Sequence, residues 1–213
     1  MLNLFDKKTI VSADKALPGR DNSVKVADQH VILGTPLRLS ADSLVEQSLS
    51  QALFGLGCFW GAEKQFWSMP GVYTTAVGYA GGYTDNPTYQ EVCSGQTGHV
   101  EVVWLAYDST QLSYGQLLMK FWQAHNPTQG MCQGSDKGSQ YRSAIYTYSD
   151  TQMQEAEQSK SHYQNMLKEH GYSSITTEVK TASRFFYAEN YHQQYLQKNP
   201  NGYCGLGGTG VCY

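Results

Sequence analysis

The sequence predicts an α+β domain with a ferredoxin-like β-α-β-β-α-β core, an added helix and strand, and a glycine-rich C-terminal coil. Three observations support this. An apolar run at 51–56 passes through a glycine-flanked junction into a segment of helical spacing. Two runs rich in β-branched and aromatic residues follow at 72–80 and 99–107. A second helical segment then leads to a fourth strand-like run near 143–148.

The first helix is marked by Phe59, Phe66 and Trp67, and Met69-Pro70 stops it. The second starts after Ser113, a good N-cap, and keeps Leu117, Leu118, Phe121 and Trp122 on one face. Polar loops at 81–98 and 126–140 separate these elements. A long polar helix is predicted at about 151–169, ending before Gly171, then a strand near 175–180 and a short aromatic helix near 187–197. The first fifty residues are polar, with a loop signal at Pro18-Gly19-Arg20-Asp21. Residues 1–49 are therefore expected to be an arm, wrapped on the domain or partly disordered. The domain proper is expected to span 50–213, with 199–213 a mobile tail. Long loops in a compact domain are where function is expected.

Composition narrows the classes of function. The chain has 213 residues, with 15 Lys+Arg against 18 Asp+Glu and a formal charge of -3. That length suits one domain with a substantial core. The chain lacks the basic footprint of a nucleic-acid binder. No run approaches the ~20 apolar residues of a membrane span, and the N-terminal stretch has no continuous apolar h-region. A cytoplasmic monomer without nucleic-acid or membrane partners is expected.

Five cysteines carry the chemical signal: Cys58, Cys93, Cys132, Cys204 and Cys212. An odd count in a chain too long to need staples argues against a disulfide framework. Cys58 sits where the first strand meets the first helix. There, unpaired N–H groups and the helix dipole predict a pKa below the ~8.5 of free cysteine. The alternative is a small buried residue at a strand–helix junction. Between Cys204 and Cys212 lie Gly205, Gly207, Gly208 and Gly210, so the tail can flex and the two sulfurs can approach. A resolving thiol must be able to travel. Zinc is a weaker reading, because only one cysteine pair is suggested. Cys93 reads as a structural thiol and Cys132 as an exposed loop thiol. Glu101 starts a strand and shares a face with His99. Tyr89, Asp136 and Tyr141 fall in the two polar loops.

Five ordered motifs then converge on a family. They are Gly57-Cys58-Phe59-Trp60-Gly61; Gly81-Gly82-Tyr83 with Asn86-Pro87-Thr88-Tyr89; Thr97-Gly98-His99-Val100-Glu101; Gln133-Gly134-Ser135-Asp136 through Gln140-Tyr141-Arg142-Ser143; and Gln193-Gln194-Tyr195-Leu196 with Gly202-Tyr203-Cys204-Gly205. Over roughly 50–213 the chain resembles the A-type peptide methionine sulfoxide reductases, in their three-cysteine subgroup. The resemblance implies that Cys58 is the nucleophile and that Phe59 and Trp60 line a pocket for the S-methyl group. It implies that Glu101, with Tyr89 and Tyr141, binds and protonates the sulfoxide oxygen, while Asp136 orders the site. Cys204 would resolve, Cys212 would recycle, and thioredoxin would be the external reductant, with no cofactor and no metal. The substrate would be the S epimer in oxidised proteins and peptides, and in free form. Two departures stand out: Cys132, where no thiol is expected, and Asn126, where many relatives carry an acid.

The chemistry fits these roles. A sulfoxide is a poor electrophile until its oxygen is protonated, and an acid in an apolar pocket has a raised pKa. Two other classes compete. One is a thiol peroxidase or hydrolase pairing Cys58 with His99 or His192, which gives no role to Cys204 or Cys212. The other is a peptide- or sugar-binding module, which needs no dithiol tail.

Overall fold

The computed structural model describes residues 9–213. The first part of the expected arm, residues 1–8, lies outside the described residues. The rest of the arm carries a 3-10 turn at Ala13–Lys15 and a short helix, α1 (Ala41–Glu46), whose N-cap Ser40 accepts from the Ser43 N–H. The arm is laid along the domain. Leu17 N–H donates to the Gln96 carbonyl, Thr84 Oγ1 donates to the Leu17 carbonyl, and Leu37 is fully buried.

Then come β1 (Leu49–Leu56), α2 (Phe59–Trp67), β2 (Val72–Ala80), α3 (Tyr89–Cys93), β3 (Val100–Asp108) and α4 (Tyr114–Ala124). A two-residue hairpin, β4 (Cys132–Gln133) with β5 (Asp136–Lys137), precedes β6 (Ser143–Thr147) and α5 (Asp150–Glu169). The chain ends with β7 (Glu178–Thr181), β8 (Phe186–Tyr187) and α6 (Tyr195–Lys198). The large sheet runs β7-β6-β1-β3-β2-β8. Its centre, β6-β1-β3-β2, is antiparallel throughout and is the ferredoxin-like order that the sequence predicts. β7 adds in parallel at one edge and β8 antiparallel at the other.

Alternation along the strands sends side chains to two cores. On the helix side, Phe54, Leu56, Val103 and Leu105 meet Phe66 of α2, Leu117 and Phe121 of α4, and Tyr163 of α5. On the other face, Leu53, Val102 and Trp104 are covered by Leu37 and Leu44 of the arm and by Phe185 and Tyr187. The expected Ser113 cap is a full capping box with Gln116.

Three local expectations differ. The loop 81–98 contains α3, opened by a Thr88–Glu91 capping box. The strand placed near 175–180 is Glu178–Thr181, because Ile175 N–H and Thr176 N–H are taken by Gln164 and by the Pro127 carbonyl. The aromatic helix placed near 187–197 is only Tyr195–Lys198. Ahead of it, the Gln193 amide bonds Val77 N–H, the Val77 carbonyl and the Ala188 carbonyl, standing in for a strand on β2. Gln194 follows with φ +48. The tail has no regular secondary structure, as expected, and it is seated on the domain: Val211 is buried and Leu206 packs on the helix-side core.

Candidate active site

The site starts where β1 ends. Gly57 has φ +100, and a Cβ there would meet the Gln133 side chain at 2.7 Å. Only glycine turns easily at that point, and the turn delivers Cys58 as the N-cap of α2. The thiol is 7% exposed, with the Trp60 and Gly61 N–H groups directed at it. The expected depression of its pKa is corrected. Burial above all, then the Glu101 carboxylate and that of Asp136, push the thiol up against the pull of those two N–H groups. A helix terminus contributes about 0.3–1 kcal/mol in the usual case, and desolvation of a buried charge outweighs it.

Glu101 shares its side of β3 with Val103 and Leu105, which fill the helix-side core. It is 1% exposed. One oxygen, Oε2, accepts the Phe59 N–H at 3.1 Å; the other, Oε1, is buried with no hydrogen-bond partner. Burial, with a smaller contribution from Asp136, raises its pKa to about 8 against the Phe59 N–H. At neutral pH the group is therefore mostly a neutral acid with a free O–H.

Tyr89 and Tyr141 both feel the Glu101 charge, and burial first, then neighbouring anions, holds both phenols well above their ordinary values. They remain O–H donors. Tyr89 opens α3; its N–H donates to Glu189 Oε1 at 2.8 Å, and its hydroxyl bonds the Cys93 thiol one turn on. Asp136, on β5, turns toward the tail: Tyr203 Oη donates to its Oδ2 at 3.3 Å and lies 2.8 Å from Ser135 Oγ.

Phe59 and Trp60 belong to an aromatic wall. Phe59 lies 6.4 Å from Tyr89 and 5.0 Å from His192, centroid to centroid. Trp60 stacks on Tyr195 at 3.9 Å and donates from Nε1 to His192 Nδ1 at 2.9 Å. The sequence offers His192 only as a base for Cys58. Its Nδ1 is occupied by Trp60, and burial lowers its pKa to about 4 despite Glu189, so it is a neutral wall residue. Sequence reasoning also misses Glu189, which accepts from Tyr79 Oη at 3.0 Å and from the Tyr89 N–H. The aromatic density of 185–195 is the signal that could have found this segment. The other proposed base, His99, accepts the Gly82 N–H on Nδ1 and lies 2.7 Å from the Thr84 carbonyl through Nε2, which fixes the loop after β2.

None of the five cysteines is in a disulfide. A Cβ built on Gly61 would lie 3.1 Å from Cys204 Sγ, so the tail thiol rests against the helix turn that Cys58 caps. Cys212 is exposed and stands between Val211, whose carbonyl accepts from Tyr163 Oη, and Tyr213, whose ring lies 5.8 Å from Tyr163. Cys132 Sγ donates to the Gln129 carbonyl, and Asn126 Oδ1 accepts from the N–H and hydroxyl of Thr128. Among the described residues no three His, Cys, Asp or Glu side chains are grouped to hold a metal, and no helix is long and apolar enough to cross a membrane.

A buried thiol at a helix start, with a neutral acid bonded to the next residue's N–H, fits a class: the cysteine-based enzymes. Comparison with known proteins narrows it. A model of the peptide methionine sulfoxide reductase family matches residues 50–209. Peptide methionine sulfoxide reductase MsrA 1 of Synechocystis sp. is 61% identical over 98% of this chain and 93% of its own, and MsrA of Vibrio cholerae is 54% identical over 99% and 97%. The solved structure of methionine sulfoxide reductase A of Corynebacterium diphtheriae superposes with a TM-score of 0.84 at 44% identity, covering 92% of this chain and 93% of that one. The chain belongs to the peptide methionine sulfoxide reductase family, and the enzyme reduces methionine sulfoxide to methionine.

Proposed function

We propose that this reductase takes the S epimer of methionine sulfoxide, in proteins and peptides and as the free amino acid, with Cys58 as nucleophile. The observation that carries the reading is Glu101 Oε1, a buried acid oxygen without a partner beside the helix start that Cys58 caps. A sulfoxide oxygen fills that vacancy and accepts its proton, with Tyr89 and Tyr141 as further donors. Phe59 and Trp60 hold the S-methyl group. Cys58 sulfur attacks the sulfoxide sulfur; methionine leaves and Cys58 becomes a sulfenic acid, oxidised by the two electrons that the substrate gains. The thiol proton returns to Glu101, so the step is balanced.

Cys204 then attacks the sulfenic sulfur, forming Cys58–Cys204 and releasing water. Cys212 attacks Cys204, restoring the Cys58 thiol and leaving Cys204–Cys212 for reduction by the thioredoxin dithiol. This is the three-cysteine scheme, and the position of Cys204 against Gly61 supports its first exchange. Asp136 orders the loop and its tail tyrosine. Residues 50–213 form the catalytic domain, 199–213 its redox tail and 1–49 the arm. The protein is read as working without a cofactor, as a cytoplasmic monomer.

The test is turnover of peptide S and R methionine sulfoxide with dithiothreitol or thioredoxin. Activity on the S epimer alone, lost in Cys58→Ser, is expected. Retention of activity by Cys58→Ser removes the nucleophile from the scheme, and turnover of the R epimer removes the stereochemistry.

A further inference from the structure

Glu63 lies on α2, in the helix that Cys58 caps, and is 0% exposed. None of the steps above uses it. Three donors converge on its carboxylate. Gln194 N–H reaches Oε2 at 2.7 Å, Gln194 Nε2 reaches Oε1 at 2.7 Å, and Thr75 Oγ1 reaches Oε1 at 2.8 Å. Thr75 in turn bonds His30 Nε2 at 2.8 Å. The Nδ1 of His30 accepts the N–H groups of Ile32 and Leu33, so its proton sits on Nε2 and points along the chain toward Glu63. Burial lowers the His30 pKa to about 4, so His30 is a neutral donor. Burial also raises the Glu63 pKa to about 7, against the pull of the Gln194 and Thr75 donors and, least, of the Lys198 charge, so the carboxyl is held by hydrogen bonds first.

Gln194 is the residue these bonds constrain. Its φ is +48, a left-handed conformation that non-glycine side chains rarely adopt. Such outliers persist only where the surroundings over-determine them. Two bonds to Glu63 and one from Val31 N–H to Gln194 Oε1 do so here. On either side of Gln194 stand His192, bonded to Trp60, and Tyr195, stacked on Trp60. Gln193 is already fixed to β2 through Val77.

We infer that Glu63 is a positioning residue for substrate binding: by holding Gln194 in its left-handed conformation it sets His192 and Tyr195 against Trp60, and so shapes the wall that receives the S-methyl group. The same carboxylate ties the arm, through His30 and Thr75, to that wall. The inference rests on the reading of Phe59 and Trp60 as the methyl wall.

The experiment measures KM and kcat for a peptide S-sulfoxide with dithiothreitol in Glu63→Gln, alongside Trp60→Ala. Glu63→Gln loses one acceptor for two donors, so KM is expected to rise about tenfold with kcat within about twofold, the scale of one lost buried hydrogen bond. In Glu63→Gln/Gln194→Glu the carboxylate and amide change places; residue 63 still accepts the backbone N–H of residue 194, and KM is expected to return to within about threefold of wild type. Should Glu63→Gln fail to fold, Gln194→Gly carries the test. It relieves the left-handed strain but drops the side-chain bond, and KM is expected to rise about threefold. A lowered melting temperature with unchanged KM in these variants overturns the inference while Trp60→Ala raises KM. If Trp60→Ala also leaves KM unchanged, the methyl-wall reading itself fails.

Discussion

Replacing Glu101 by glutamine separates its role as an acid from its place in the fold. The amide keeps the shape and still accepts the Phe59 N–H, but it has no proton to give. General acid catalysis contributes about 10²–10⁴-fold, so the sulfoxide reduction step should slow by about that factor. The pH dependence follows from the raised pKa. Below about 8 the wild-type carboxyl is protonated and active, and above it the rate falls as the proton is lost; Glu101→Gln should lack this alkaline limb. Stability falls in the same direction. With a folded pKa raised from 4.5 to about 8, the native state binds the extra proton, so wild-type stability is full below about 4.5 and declines as pH rises through about 8. At 1.36 kcal/mol per tenfold change in proton affinity, the whole decline is about 5 kcal/mol. Glutamine does not ionise, so Glu101→Gln should unfold a few kcal/mol less readily than wild type at pH 9 and at about the same free energy at pH 5. The assays are single-turnover methionine release and urea unfolding at both pH values. An unchanged rate, or equal stabilities at pH 9, would refute a buried neutral acid.

Three further substitutions probe other parts of the molecule. Cys204→Ser should release methionine in a single turnover yet fail to cycle with thioredoxin; sustained thioredoxin-driven turnover would break the relay. Gly61→Val places a side chain where Leu206 lies 3.0 Å and Cys204 Sγ 3.1 Å from a new Cβ. It should slow Cys58–Cys204 formation by at least about tenfold, about 1.4 kcal/mol on the barrier, and let a sulfenic-acid trap label Cys58; equal labelling of the two proteins would count against the tail geometry. Leu37→Ala should cost about 2–5 kcal/mol in urea unfolding, since the side chain is fully buried against the Trp104 side of the sheet; a loss under about 1 kcal/mol would mean that the arm adds little to the core.

The core elements were legible because each carries its own period. The strand alternation of 72–80 and the helical spacing of Leu117, Leu118, Phe121 and Trp122 are local patterns, and Ser113 marks its helix start by its own chemistry. The capping box Thr88–Glu91 was equally local, yet α3 passed for loop because its helix has only five residues. The segment 186–195 failed for a different reason. Its aromatics pattern as a helix, but the side chain of Gln193 pairs with β2 from more than a hundred residues away, and no local pattern reveals such a partner. Cys58 shows the same limit. Its helix-start position is written in the sequence, while the direction of its pKa depends on burial and on Glu101, which only folding brings near.

By itself the sequence determined the strand and helix order, the glycine junction that presents Cys58, and the motifs that mark the reductase family, because these depend on residue type and short-range spacing. The tertiary structure alone decided that Glu101 is a neutral acid, that His192 supports Trp60 instead of activating Cys58, and that Glu63 holds Gln194 in place. Each of these depends on which groups share a buried space, and water exclusion and long-range hydrogen bonds are properties of the folded chain.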